Sequence, residues 1–128
     1  MLFRSRDELA GLQAALVAAE RMVAEMAARP DLCTAGGILH GGASVALAES
    51  LGSLASVLCI EDPSTHTPVG VEINANHLRP VPDGRFVIGT LSPIRIGRRI
   101  HVWNIEIRDP DDKLVCISRL TIMIVERG

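Results

Sequence analysis

The segment Thr34-Ala35-Gly36-Gly37-Ile38-Leu39-His40-Gly41-Gly42 sets four glycines within seven residues, directly ahead of an apolar stretch. Glycine at that density marks a loop in which backbone comes close to something else. The stretch that follows, about Gly41 to Cys59, has helical periodicity, so the glycines sit at a helix N-terminus. Backbone N–H groups there are unpaired, and the helix dipole adds partial positive charge. Gly41 and Gly42 carry no side chain to screen those donors. Such a corner can polarise a carbonyl or hold an oxyanion, and it can equally hold a phosphate. A helix start that needs glycine only for its turn has the same spelling.

Glu49 is the second group with chemical potential. It follows His40 by about two and a half helical turns and is the only charged residue between His40 and Glu61. In a cleft it would serve as base or nucleophile, with Ser53 one turn on to orient water. On a solvated face beside Ser53 and Ser56 it would be an ordinary surface carboxylate. That face holds serines and a glycine with no lysine or arginine, which suits a face covered by another chain.

His40, His66, His77 and His101 show no metal-ligand spacing, and no cysteine or carboxylate cluster joins them. His40 is read as shaping the loop, His66 as exposed, and His77 and His101 as half-buried strand residues. Arg95, Arg98 and Arg99 surround Gly97 in one turn. They read as a solvated hairpin tip or as phosphate contacts at the mouth of a site, because guanidinium forks match phosphate oxygens.

A long helix and a sheet must position these groups. On the helix, Ala43, Leu47, Ala48, Leu51, Leu54, Ala55 and Leu58 form one broad apolar face, and Ser44 is a candidate cap at its start. After the polar loop Glu61–Pro68 the period changes to two: Val69, Val71, Ile73 and Ala75 alternate with Gly70, Glu72, Asn74 and Asn76. Turns at Pro82-Asp83-Gly84, Ile96–Arg99 and Asp109–Lys113 separate further strands at 85–94, 100–108 and 114–125. Three successive tight connections predict a four-strand antiparallel meander. Ahead of the helix, Leu9, Leu12 and Leu16 suit a helix, whereas Met22 to Met26 also suits a strand that Pro30 ends. A long helix across a curved antiparallel sheet is an α+β layer fold.

Composition narrows the function. The chain has 128 residues, enough for one domain, with 48% hydrophobic and 22% charged residues, which excludes a disordered chain. Phe3, Phe86 and Trp103 are its only aromatic residues, and tyrosine is absent. The core must therefore be aliphatic, nucleobase stacking has no platform, and tyrosine chemistry is excluded. A net charge of −2 gives no basic field for a polynucleotide. Cys33, Cys59 and Cys116 are odd in number and widely spaced. They read as small buried hydrophobes in a reducing compartment. Arg4 and Arg6 ahead of the uncharged stretch Leu9–Ala19 faintly suggest a leader, but Asp7, Glu8 and Gln13 spoil it. A cytoplasmic, non-membrane protein is expected.

Gly37–Ser44 followed by Leu47-Ala48-Glu49-Ser50 and Gly52-Ser53 resembles the hotdog-fold acyl-CoA thioesterases of the phenylacetate-degradation type. Val69–Arg79, Ile96–Arg99, Val102–Ile107 and Ser118–Thr121 extend the likeness, which is nearest to the 1,4-dihydroxy-2-naphthoyl-CoA thioesterases. The resemblance spans about residues 21 to 125. It implies a single hotdog domain over residues 1–128, a long central helix wrapped by a curved antiparallel sheet, and a homodimer with sites between subunits, paired into a homotetramer. It implies catalysis by Glu49, with the Gly41 N–H polarising the thioester carbonyl, Ser53 orienting water or the carboxylate, and His40 lining the pocket. Thr34, Gly42, His77, Arg79, Gly97, Arg98 and Arg99 would contact substrate or the CoA arm. Thr34 stands where the family commonly has Gln or Asn, and its hydroxyl has a shorter reach. No metal or other cofactor is implied, coenzyme A being part of the substrate. A hotdog enoyl-CoA hydratase or dehydratase, with His77 opposite the acid, and a non-catalytic acyl-CoA-binding module are the alternatives.

Overall fold

The computed structural model describes residues 22–128; the expectations for residues 1 to 21, helix, strand or leader, lie outside the described residues. Strand β1 (Met22–Ala27) is followed by a single 3-10 turn (Pro30–Leu32), helix α1 (Gly41–Cys59), and strands β2 (His66–His77), β3 (Phe86–Ile96), β4 (Ile100–Arg108) and β5 (Leu114–Glu126). All strand pairings are antiparallel, in the order β1-β3-β4-β5-β2. One helix on a five-strand sheet is the expected α+β layering. The helix spans the predicted residues, and the segment at 22–26 takes its strand option, with Met22, Ala24 and Met26 turned inward.

The four-strand meander is corrected. Strands β3, β4 and β5 do follow one another, but β2 pairs with β5 and lies at the far edge. The turn at Pro82-Asp83-Gly84 is not a hairpin, because its flank serves the loop before the helix. Leu39 N–H donates to the Val81 carbonyl (2.7 Å), Asp83 N–H to Gly37 (2.9 Å) and Gly84 N–H to Ala28 (3.0 Å). Pro80 and Pro82 interrupt any continuing ladder. Gly84 takes the turn at φ +90°, a conformation that favours glycine. Strand β2 also begins earlier than predicted, at His66, and takes in Pro68, which an edge strand tolerates. Its register shifts between Gly70 and Glu72. Val69 and Val71 are exposed as a result, whereas Ile73 and Ala75 are half-buried against the core.

The inner face of the sheet is aliphatic. Met22, Leu91, Ile105, Ser118 and Ala75 form one row across the five strands by register. Leu47, Ala48, Leu51 and Ala55 of α1 are buried on this face. Close approach of helix and sheet shows at Gly52, where an added Cβ would collide with Leu120. An 18-residue stretch of α1 has mean hydropathy 1.4, enough by composition to cross a bilayer. Here 39% of that stretch is buried inside the fold, its apolar stripe lying against the sheet.

Ser56 corrects the helical wheel: it is buried, not on the face of Glu49. Its Oγ accepts from Trp103 Nε1–H (2.8 Å) and lies 2.9 Å from His101 Nδ1. With the Trp donor taken, the hydroxyl proton belongs on the His101 side. The ring's own N–H then faces the Gly97 carbonyl, which favours a proton there. His101 is therefore buried and neutral rather than half-buried, and desolvation holds it below the usual histidine range. Cys116 is buried as expected, Cys33 is half-buried, and Cys59 is exposed at the end of α1.

The sign of the His101 effect follows. An unfolded chain takes up this proton below the ordinary histidine value near 6.5, and the native chain takes it up only at lower pH, so stability falls as pH drops through that value. Urea midpoints measured from pH 7.5 to 5.5 should fall more in the native sequence than in His101→Asn. Equal slopes would show that His101 is not held neutral.

Candidate active site

His40 is the N-cap of α1, with extended backbone at φ −65° and ψ 134°. Its Nδ1 accepts the Gly42 N–H at 3.1 Å, and its carbonyl accepts from Ala43 N–H at 2.9 Å. Its own N–H donates to the Leu32 carbonyl at 2.9 Å, which ties the cap to the loop. A ring that accepts at Nδ1 carries its proton on Nε2. Sequence reading named Ser44 as the cap; Ser44 is buried one turn inside the helix, and the histidine takes that role. An imidazole in place of Ser or Asp is why the usual signature failed.

The Gly41 N–H has no acceptor among the described residues. It is the first N–H of the helix and carries the positive end of the dipole. The His77 ring lies against this glycine: a Cβ on Gly41 would stand 3.0 Å from His77 Nε2 and 3.1 Å from Cε1, so a side chain there would press on the ring. His77, expected to be half-buried, is exposed at the end of β2.

A cavity of about 440 Å³ opens at this helix start. It brings together Thr34, Gly41, His77 and Arg79 with apolar walls from Ile38, Leu39, Leu78, Val81 and Val115. Thr34 Oγ accepts from Gly36 N–H at 3.3 Å within the loop turn, so the hydroxyl keeps its proton for another acceptor. Leu78 and Ile38 are 58% and 40% exposed. The apolar walls escaped sequence reading because they come from loop segments that follow no period. The prolines at 80 and 82 were the available signal that this stretch does something other than turn a hairpin.

Glu49 is exposed on the next face, two turns along, and Ser53 is half-buried one turn beyond. The carboxylate rests over the β2 irregularity: a Cβ on Gly70 would stand 3.0 Å from Glu49 Oε2. Gly70 was not singled out from sequence. Glu49 lies eight positions after Gly41, which is about 12 Å along a helix axis. One chain therefore does not bring the carboxylate and its own Gly41 N–H to the same atom.

Gly97, Arg98 and Arg99 are not gathered with the others. They form the β3–β4 turn, closed by Gly97 N–H to the Ile100 carbonyl at 2.8 Å. Gly97 and Arg98 line a separate cavity of about 390 Å³ with Cys59, Glu61, Asp62, His66 and His101, at the C-terminal end of α1. His66, expected to be exposed, is half-buried there. Asp62 accepts from the Ser64 hydroxyl and N–H, which holds its carboxyl below the usual carboxylate range.

A long helix laid across a five-strand antiparallel sheet, with a glycine-rich loop at its N-terminus, defines a hotdog domain. Residues 36–116 match the family model described as thioesterase superfamily, and the chain belongs to that family. It is 53% identical over 89 residues to the 1,4-dihydroxy-2-naphthoyl-CoA hydrolase of Escherichia coli (strain K12), a match covering 70% of this chain and 63% of the relative. It is 42% identical over 120 residues to ComA2 of Bacillus subtilis (strain 168), covering 94% of each. The crystal structure of thioesterase HI1161 from Haemophilus influenzae is similar at TM-score 0.79 and 40% identity, covering 98% of this chain and 96% of that one. The chain spans about six-tenths of the length of the curated relatives it matches at more than 50% identity.

The cap can be tested directly. His40→Ala should destabilise the chain by roughly 0.5–2 kcal/mol, the usual cost of a lost N-cap, while His40→Asn should restore most of it. Urea denaturation at neutral pH measures both; equal stability of all three would show that the Nδ1 bond carries nothing.

Proposed function

We propose that the chain hydrolyses acyl-CoA thioesters, with aryl or similarly bulky acyl groups, in the cytoplasm. The observation that supports this most is the unpaired Gly41 N–H at the mouth of an apolar cavity. A thioester carbonyl bound there would be polarised by that donor and by the helix dipole. The His40 ring, its proton on Nε2, would line the thioester pocket. Thr34 Oγ would donate to the substrate, and Gly42 would keep the approach open. With few rings in the chain, an aromatic acyl group would be held by aliphatic walls such as Ile38, Leu39 and Val81.

Glu49 would act as nucleophile or as general base toward water, with Ser53 orienting either one. The axial separation of about 12 Å favours a site in which Gly41 of one chain faces Glu49 of a second. Among the described residues, strand β2 ends the sheet with an unpaired edge, and Val69 and Val71 are exposed on it. A homodimer formed along that edge would pair its free backbone groups and extend the sheet, and two dimers would make the tetramer. The thiolate is a good leaving group, so a placed carboxylate and an oxyanion donor suffice, without a metal or redox cofactor. Arg98 and Arg99, with Gly97, would reach the CoA arm only from another chain.

The His77 ring against Gly41 is the one observation that favours an enoyl-CoA hydratase. Enoyl-CoA hydration without thiol release would identify that reaction.

Release of free thiol from a panel of aryl- and alkyl-CoA esters tests the proposal. Glu49→Ala should lower kcat by about 10²–10⁴-fold and leave the urea midpoint essentially unchanged. Full activity in that variant would remove Glu49 from the mechanism.

A further inference from the structure

The β3–β4 turn carries the guanidinium groups of Arg98 and Arg99, and Arg95 lies beside it: a Cβ on Gly97 would stand 3.1 Å from Arg95 Nε. None of the three arginines has a carboxylate within 4.0 Å among the described residues. Like charges gathered in one turn repel, so other contacts must hold the turn in place. Three do so. Gly97 N–H donates to the Ile100 carbonyl at 2.8 Å, which closes the turn on itself. Ile124 N–H donates to the Arg99 carbonyl at 2.8 Å, which ties the turn to β5. The Gly97 carbonyl accepts from the His101 ring, and this third contact leads to helix α1. His101 is buried, and it lines the cavity at the C-terminal end of α1 together with Gly97, Arg98 and Cys59. Its Nδ1 lies 2.9 Å from Ser56 Oγ, which also accepts the Trp103 Nε1–H at 2.8 Å. A neutral imidazole has one acceptor and one donor. Here both are used, Nδ1 toward the helix and Nε2–H toward the turn.

We infer that His101 is a positioning residue: it bridges helix α1 to the β3–β4 turn and so sets where Arg98 and Arg99 stand relative to Glu49. The inference rests on the reading of that turn as a contact for the CoA arm. Ser56 follows Glu49 by seven positions on the same helix, about 10 Å along its axis. In a two-chain site the chain that lends Glu49 also lends the turn, so the acid and the arginines belong to one rigid frame. The bridge through Ser56 and His101 is what joins them. His101 itself touches neither the thioester nor the CoA arm; it acts through the Gly97 carbonyl.

Two neutral amides separate the halves of the bridge. Asparagine places its amide where the ring has Nδ1, which keeps a partner for Ser56 but stops short of Gly97. Glutamine places its amide nitrogen where the ring has Nε2, which keeps a donor for the Gly97 carbonyl. His101→Asn should raise KM for an acyl-CoA about tenfold, the order of one lost hydrogen bond, with kcat unchanged. KM for the corresponding acyl-pantetheine, which lacks the nucleotide, should not move. His101→Gln should stay near the native KM for both substrates. A native KM in His101→Asn overturns the inference, as does an equal rise for the two substrates or a His101→Gln variant as impaired as His101→Asn. Arg98→Gln tests the reading beneath it: an unchanged KM for acyl-CoA would remove the turn from the CoA arm. In that case, or if no thioester is hydrolysed, the ¹⁵N order parameter of the Gly97 amide still decides the bridge. It should fall in His101→Asn and hold in His101→Gln, and an equal value in all three proteins overturns the positioning role.

Discussion

Helix α1 lies against every strand of the sheet, and its axis fixes where everything else can stand. The apolar stripe of Leu47, Ala48, Leu51 and Ala55 leaves no choice of which face turns inward. That choice sets Glu49 outward over Gly70 and aims the helix start at the loop carrying Thr34 and the segment carrying Arg79. Rotation is opposed at two places. Gly52 admits Leu120 so closely that no side chain would fit there, and Ser56 is tied through its hydroxyl to His101 and Trp103. A helix held in this way presents its first N–H in a constant direction, which an oxyanion donor requires.

Much of this was legible in the sequence, and what was not has identifiable causes. The helix bounds, the strands at 100–108 and 114–125 and the glycine loop follow from local signals: periodicity, turn residues and glycine density. Strand order does not, since β2 pairs with β5 through partners far apart in the chain, such as Ile73 with Leu120, and the Pro82–Gly84 turn bonds to Gly37 and Ala28 instead of closing a hairpin. The same long-range contacts build the cavity walls at Leu78 and Val81, so those residues were invisible for the same reason. Ser56 shows the limit of a helical wheel: a serine scores as polar, yet it is buried because Trp103 and His101 supply its partners. Glu49 and Gly41 were identifiable by type and spacing, but their relation to Gly70 and His77 needed the fold.

The two ends of the sheet are built differently, and the difference bears on assembly. Strand β1 is short and alternates cleanly, with Glu25 outward, which discourages another strand from adding there. Strand β2 is twice as long and ends the sheet on the other side with exposed valines. Its irregularity at Gly70 has two consequences at once. It turns Val69 and Val71 outward, and it leaves room beneath the Glu49 carboxylate. A straight, side-chain-bearing strand at that point would push the carboxylate away and would keep the valines inside. The irregularity that exposes the valines is therefore the same one that seats the acid.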